Sequence, residues 1–99
     1  MTHTIKEWQE TITEYAIDHG FCWTKKDIDT LLLRLHGEIS EASEASRDND
    51  EKELAIELAD VFIRLVNTCE VMGIDLEKEV EKKHEINLKR PKLHGRGRK

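Results

Sequence analysis

Eight residues, GEISEASE from Gly37 to Glu44, place carboxylates three positions apart at Glu38, Glu41 and Glu44. A second stretch, ELAIELADVF from Glu53 to Phe62, holds Glu57 and Asp60 at the same spacing. On a helix, residues three apart are surface neighbours. Two such pairs brought together would repel, and burying them unpaired would cost heavily. A hard divalent cation removes both problems. Magnesium in particular takes carboxylate oxygens and waters, and substrate phosphates often complete its shell. The plainer alternative is surface decoration, because 21 of the residues are Asp or Glu and acids at this spacing are common on solvated helices.

The elements that must carry these acids can be read from hydrophobic periodicity, which predicts four helices. The first covers about Ile5 to His19, with Ile5, Trp8, Ile12, Tyr15, Ala16 and His19 as its inward face and Gly20 as its stop. Phe21, Cys22 and Trp23 then form an apolar link expected to pack inward. The second runs from about Lys25 to Ser46, with Thr24 and Asp27 as a capping pair. Its stripe is Ile28, Leu31, Leu32, Leu35, Ile39 and Ala42, and RDND breaks it. The third spans about Glu51 to Met72 on Leu54, Leu58, Val61, Leu65 and Met72, widened by Phe62, Val66 and Cys69. Asp75 caps the fourth, which continues to about Arg90 before Pro91. Short connections predict antiparallel pairs for helices two and three and for helices three and four.

Helical projection sets the direction of the acids. With Ile28 as zero, Glu38 falls at roughly −80° and Glu41 at about −140°. With Leu54 as zero, Glu57 lies near about −60° and Asp60 near about −120°. Both pairs leave the core by the same flank, so convergence is geometrically open. On the fourth helix Val80, Lys83, Asn87 and Arg90 lie within about 40° of Leu76. A stripe that begins apolar thus turns polar, with a lysine and an asparagine on the expected inward face. Helix ends often turn wet and lysine can snorkel. The same two groups also suit a phosphate-bearing ligand. Lysine supplies point charge, and asparagine supplies a paired donor and acceptor.

With these residues in place, the chain resembles the all-alpha nucleoside triphosphate pyrophosphohydrolases, the MazG-like family. The resemblance rests on Glu38-Ile39-Ser40-Glu41 as its ExxE, Glu57-Leu58-Ala59-Asp60 as its ExxD, and GIDLEKEVEKKHEINLKR from Gly73 to Arg90 as its third block. Lys83, Asn87 and Arg90 match the lysine, asparagine and terminal basic positions of that block, and the likeness spans Leu31 to Arg90. Ser40 and Ser43 depart from the greasier residues of many relatives.

The resemblance implies an all-α, four-helix fold that assembles into a multi-subunit helical bundle, as homodimer or homotetramer. It implies hydrolysis of nucleoside triphosphates, deoxy or non-canonical ones included, to monophosphate and pyrophosphate. Magnesium, with manganese as the alternative, would be held by Glu38, Glu41, Glu57 and Asp60. Catalytic roles then fall to Glu38, Glu41 and Lys83, with Glu38 or Glu41 accepting the proton of the attacking water. Substrate contacts fall to Lys83, Asn87, Arg90 and the flat faces of Trp8 and Trp23, since aromatic rings stack on bases. Phe21 is a further stacking candidate, with core packing the plainer role for it and Trp8. Glu53, one turn before Glu57, is either an outer neighbour of the metal ligands or a solvated residue. Glu44, His19 and His36 are read as surface or structural, and His94 has no assigned role.

Composition bounds the alternatives. Ninety-nine residues with 37% apolar and 37% charged side chains suit a single amphipathic helical domain, expected over residues 1–90. A basic tail over residues 91–99 carries Lys92, Arg96, Arg98 and Lys99. The net charge of −5 argues against a stable nucleic-acid complex. No apolar run spans a membrane and the N-terminus lacks a signal peptide's apolar core, so a cytoplasmic protein is expected. Cys22 and Cys69 are expected to be unpaired. Two other functions fit the same helices. One is a non-catalytic helical interaction module. The other is a related hydrolase such as a phosphoribosyl-ATP pyrophosphohydrolase.

Overall fold

The computed structural model describes residues 2–91. The basic tail predicted for 91–99 therefore lies, beyond Pro91, outside the described residues. Four helices account for most of the rest: α1 (Ile5–Asp18), α2 (Ile28–Arg47), α3 (Glu51–Met72) and α4 (Leu76–Leu88). A single 3-10 turn, Lys25–Asp27, leads into α2 where the periodicity predicts helix throughout.

Local chemistry explains each boundary. Thr4 caps α1 by a reciprocal pair of bonds with Glu7, whose Oε1 accepts from the Thr4 N–H at 2.8 Å. Gly20, at φ 92°, closes α1, with the Phe21 N–H donating to Ala16 O at 2.9 Å and the Gly20 N–H to Ile17 O at 3.0 Å. The Thr24 N–H donates to Asp27 Oδ2 at 2.8 Å, as the capping pair predicts. Asn49 takes a left-handed φ of 57° in the break between α2 and α3, and Asp50 caps α3 by accepting from the Glu53 N–H.

The core is small. Leu31, Ala42 and Ala45 of α2 and Val66 and Cys69 of α3 are buried, and both cysteines are free. α2 and α3 form the predicted hairpin, and α1 lies along α3. Val66, Asn67, Thr68 and Cys69 are buried in succession because α3 is enclosed there on two sides.

Three packing expectations need correction. The inward face of α1 is not centred on Trp8 and Tyr15, which are exposed. It carries Gln9, only 1% exposed, with half-buried Ile12, Thr13 and Ala16. Gln9 is buried because every polar atom is used. Its Nε2 donates to Glu70 Oε1 at 3.0 Å and to Ile74 O at 2.9 Å, and its Oε1 accepts from the Leu76 N–H at 2.9 Å. Ile39 and Leu58, expected in the core stripes, are 51% and 54% exposed.

The third correction concerns α4, which packs on α1 rather than along α3. The turn at Gly73 redirects the chain, and Gln9 grips it. The Lys6 N–H donates to Glu77 Oε1 at 3.2 Å, tying the first turn of α4 to α1. Beyond that turn the sequence KEVEKKHE offers almost nothing apolar to bury, and every residue from Lys78 to Pro91 is exposed. α4 ends at Leu88, two residues before the expected Arg90.

Candidate metal centre

The three-residue connection Asp48–Asp50 sets the C-terminal half of α2 beside the first turns of α3. That alignment brings Glu38 and Glu41 against Glu57, with one carboxylate oxygen of each lying within 4.8 Å of the others. Glu38 and Glu57 are half-buried and Glu41 is exposed. Oε1 of Glu57 is shielded from solvent yet has no hydrogen-bond partner. Such an oxygen is costly to bury unpaired, and a cation would satisfy it. The donors are all hard carboxylates, with no thiol or imidazole in the group, so the set fits magnesium or manganese.

Glu53 joins this cluster. The neighbouring Glu53 carboxyl, then burial, then the negative charge of Glu41 push the Glu57 carboxyl up to about 7. An acidic cleft continues from Glu41 and Glu57 past Glu44, Asp48, Asp50 and Glu53.

On the other side of Glu38 lies a cavity of about 260 Å³ between α1, the Phe21–Trp23 link and α3. Asp60 opens onto this cavity together with Glu38, Trp23, Arg64 and Asn67. Asp60 is thus beside Glu38 rather than within the trio. The aromatic link does not sink into the core as expected. Phe21 is half exposed and stacks on Trp23 at 6.5 Å between ring centres, so the pair forms a wall of the cavity. The Arg34 guanidinium sits 5.3 Å from the centre of the Trp23 ring. Asn67, on the cavity wall, accepts at Oδ1 from the Thr13 hydroxyl at 3.0 Å. Arg64 Nε donates to Glu38 Oε2 at 3.1 Å.

The other residues singled out by sequence lie elsewhere. Trp8 is exposed on α1 and stacks on His3 at 4.4 Å. It does not line the cavity. Lys83, Asn87 and Arg90 stand exposed on and just beyond α4, and none of them lines the cavity or the acidic cleft. Arg64, Asn67 and Arg34 went unnoticed in the sequence. A signal existed for the two arginines, because each is four residues from a site acid, Arg34 before Glu38 and Arg64 after Asp60.

A family profile described as MazG nucleotide pyrophosphohydrolase domain matches residues 26–93. Neither the curated proteins nor the solved structures give a match.

Proposed function

The chain belongs to the MazG nucleotide pyrophosphohydrolase family, and from that premise we propose that it cleaves nucleoside triphosphates between the α and β phosphates, releasing monophosphate and pyrophosphate. The observation that carries this reading is the convergence of Glu38, Glu41 and Glu57 from two helices onto one point. Magnesium would be held there, with Asp60 completing the set from the cavity side. When bound, it supplies positive charge to the phosphates and acidifies a water.

The protein's own groups divide the remaining work. Glu38 is engaged by Arg64, whereas Glu41 is exposed and makes no ion pair among the described residues. Glu41 is therefore the carboxylate placed to accept the water proton. The wall of Trp23 and Phe21 offers a flat apolar surface for the base. Lys83, Asn87 and Arg90 would serve the site of a second copy, where the lysine charge stabilises the breaking bond. Their exposure supports this, as do the exposed apolar side chains of Leu33, Ile56, Ile86 and Leu88. The domain accordingly comprises residues 1–90.

The test is a panel of canonical, deoxy and modified triphosphates, with phosphoribosyl-ATP, assayed with magnesium for pyrophosphate. Release of pyrophosphate that disappears in Glu41→Gln and Asp60→Asn is the expected result. Orthophosphate as sole product, with no pyrophosphatase present, would sink the reading.

A further inference from the structure

We infer that Arg64 is a phosphate-binding residue which Glu38 holds in place until a divalent cation arrives. The inference rests on the nucleotide-hydrolase reading and adds a residue to it. Arg64 sits on α3 one turn beyond Asp60, and its Nε donates to Glu38 Oε2 at 3.1 Å. Glu38 is also one of the three carboxylates whose oxygens converge. One side chain is therefore claimed by two cations, the guanidinium and the metal.

The consequence is a coupling between them. While the site holds no metal, Arg64 offsets part of the repulsion among Glu38, Glu41 and Glu57. With a divalent ion held by the same carboxylates, the Arg64 guanidinium would be repelled from Glu38 and its neutralising role would no longer be needed. The released side chain need not travel, because Arg64 already lines the cavity beside Asp60, Trp23 and Asn67. An anion seated there next to the metal would meet a planar fork of N–H donors that matches phosphate oxygens. Part of the phosphate charge is thus met within one chain, beside what the lysine of α4 supplies from a second copy.

The pairing makes opposite predictions for the two ligands. Manganese alone, followed by electron paramagnetic resonance, binds the Arg64→Gln protein roughly fivefold more tightly than wild type, because a competing charge is gone. Inorganic tripolyphosphate in the presence of manganese binds Arg64→Gln about tenfold more weakly. Arg64→Lys keeps the charge and returns manganese affinity towards wild type. In the wild-type protein the Arg64 Nε–H resonance shifts on adding magnesium, a reading that needs no variant to fold. Unchanged or weaker manganese binding in Arg64→Gln, tripolyphosphate binding indifferent to Arg64, or an Arg64 resonance unmoved by magnesium would each overturn the inference. None of these readings depends on turnover, so a failure here is separate from a failure to release pyrophosphate.

Discussion

Glu53 and Glu57 lie one turn apart on α3, and the nearby Glu53 carboxyl is the first cause of the rise of the Glu57 carboxyl from 4.5 to about 7. Two adjacent carboxyls can hydrogen-bond to each other only while one keeps its proton, so their proximity favours the protonated form. Unfolded, Glu57 titrates near 4.5. Between these values the folded protein binds more protons than the unfolded chain, so this group's contribution to stability is complete below 4.5 and is lost as pH rises through about 7. Thermal unfolding of metal-free protein should show it as a wild-type advantage over Glu57→Gln that shrinks from about pH 5 to about pH 8. Magnesium needs the carboxylate, so its binding should release a proton below pH 7 and tighten as pH rises. Calorimetry in buffers of different ionisation enthalpy counts that proton. An advantage that grows with pH in the absence of metal would remove Glu57 as the titrating group.

Gln9 carries a separate prediction about stability. It ties α1 to Glu70, to Ile74 and to the first N–H of α4. Gln9→Ala leaves the Leu76 N–H and the Ile74 carbonyl without these partners, and should cost about 2–4 kcal/mol. Gln9→Glu removes both donated bonds and sets a second carboxylate against Glu70, so it should be at least as harmful near neutral pH. Urea midpoints of the two variants check the order. A Gln9→Glu protein as stable as wild type would show that donation to Glu70 and Ile74 is not what holds the turn.

The contrast between Gln9 and Glu57 also shows what the sequence could reveal. Helix boundaries were legible where Gly20, Thr24, Gly73 and Asp75 are local signals, each acting within a few residues of itself, whereas the caps Thr4 and Asp50 emerge only from the structure. The meeting of Glu38 and Glu41 with Glu57 was left open by the sequence, in which both acid pairs leave their stripes by the same flank, and the packing of α2 on α3 brings it about without Asp60. Gln9 was not legible, since a periodicity of apolar residues passes over a polar side chain whose partners lie more than sixty positions away. The direction of α4 failed for the same reason. Its projection was sound, but a helical face is inward only if something covers it, and among the described residues nothing covers Lys83 or Asn87.

A second copy is the proposed cover, and this can be broken from either side. Leu33 on α2 and Ile56 on α3 are 72% and 55% exposed, which is wasteful for side chains of that size. Leu33→Asp and Ile56→Asp should leave helical content intact, reduce the sedimenting mass to that of one chain and lower kcat/KM by at least about 100-fold. Mixing a variant that lacks the acids with one that lacks Lys83 should restore part of the activity, because each copy then supplies what the other is missing. A monomeric wild-type protein with full turnover would confine the whole reaction to one chain.

Trp23 supplies the last prediction, since it joins the base-sized cavity to the charged groups around it. Its ring stacks with Phe21 on one side and has the Arg34 guanidinium 5.3 Å from its centre. A base entering against this ring would gain stacking worth about 1–3 kcal/mol. Trp23→Ala should therefore raise KM by about tenfold or more while kcat changes less, because the contact is made equally in ground and transition states. The chain has two tryptophans, so in a Trp8→Phe background the emission reports Trp23 alone and should be quenched by substrate. Trp8→Phe itself should leave KM near wild type, because Trp8 stacks on His3 away from the cavity. Quenching that vanishes in Trp8→Phe but persists in Trp23→Phe would move the base to the outer face of α1.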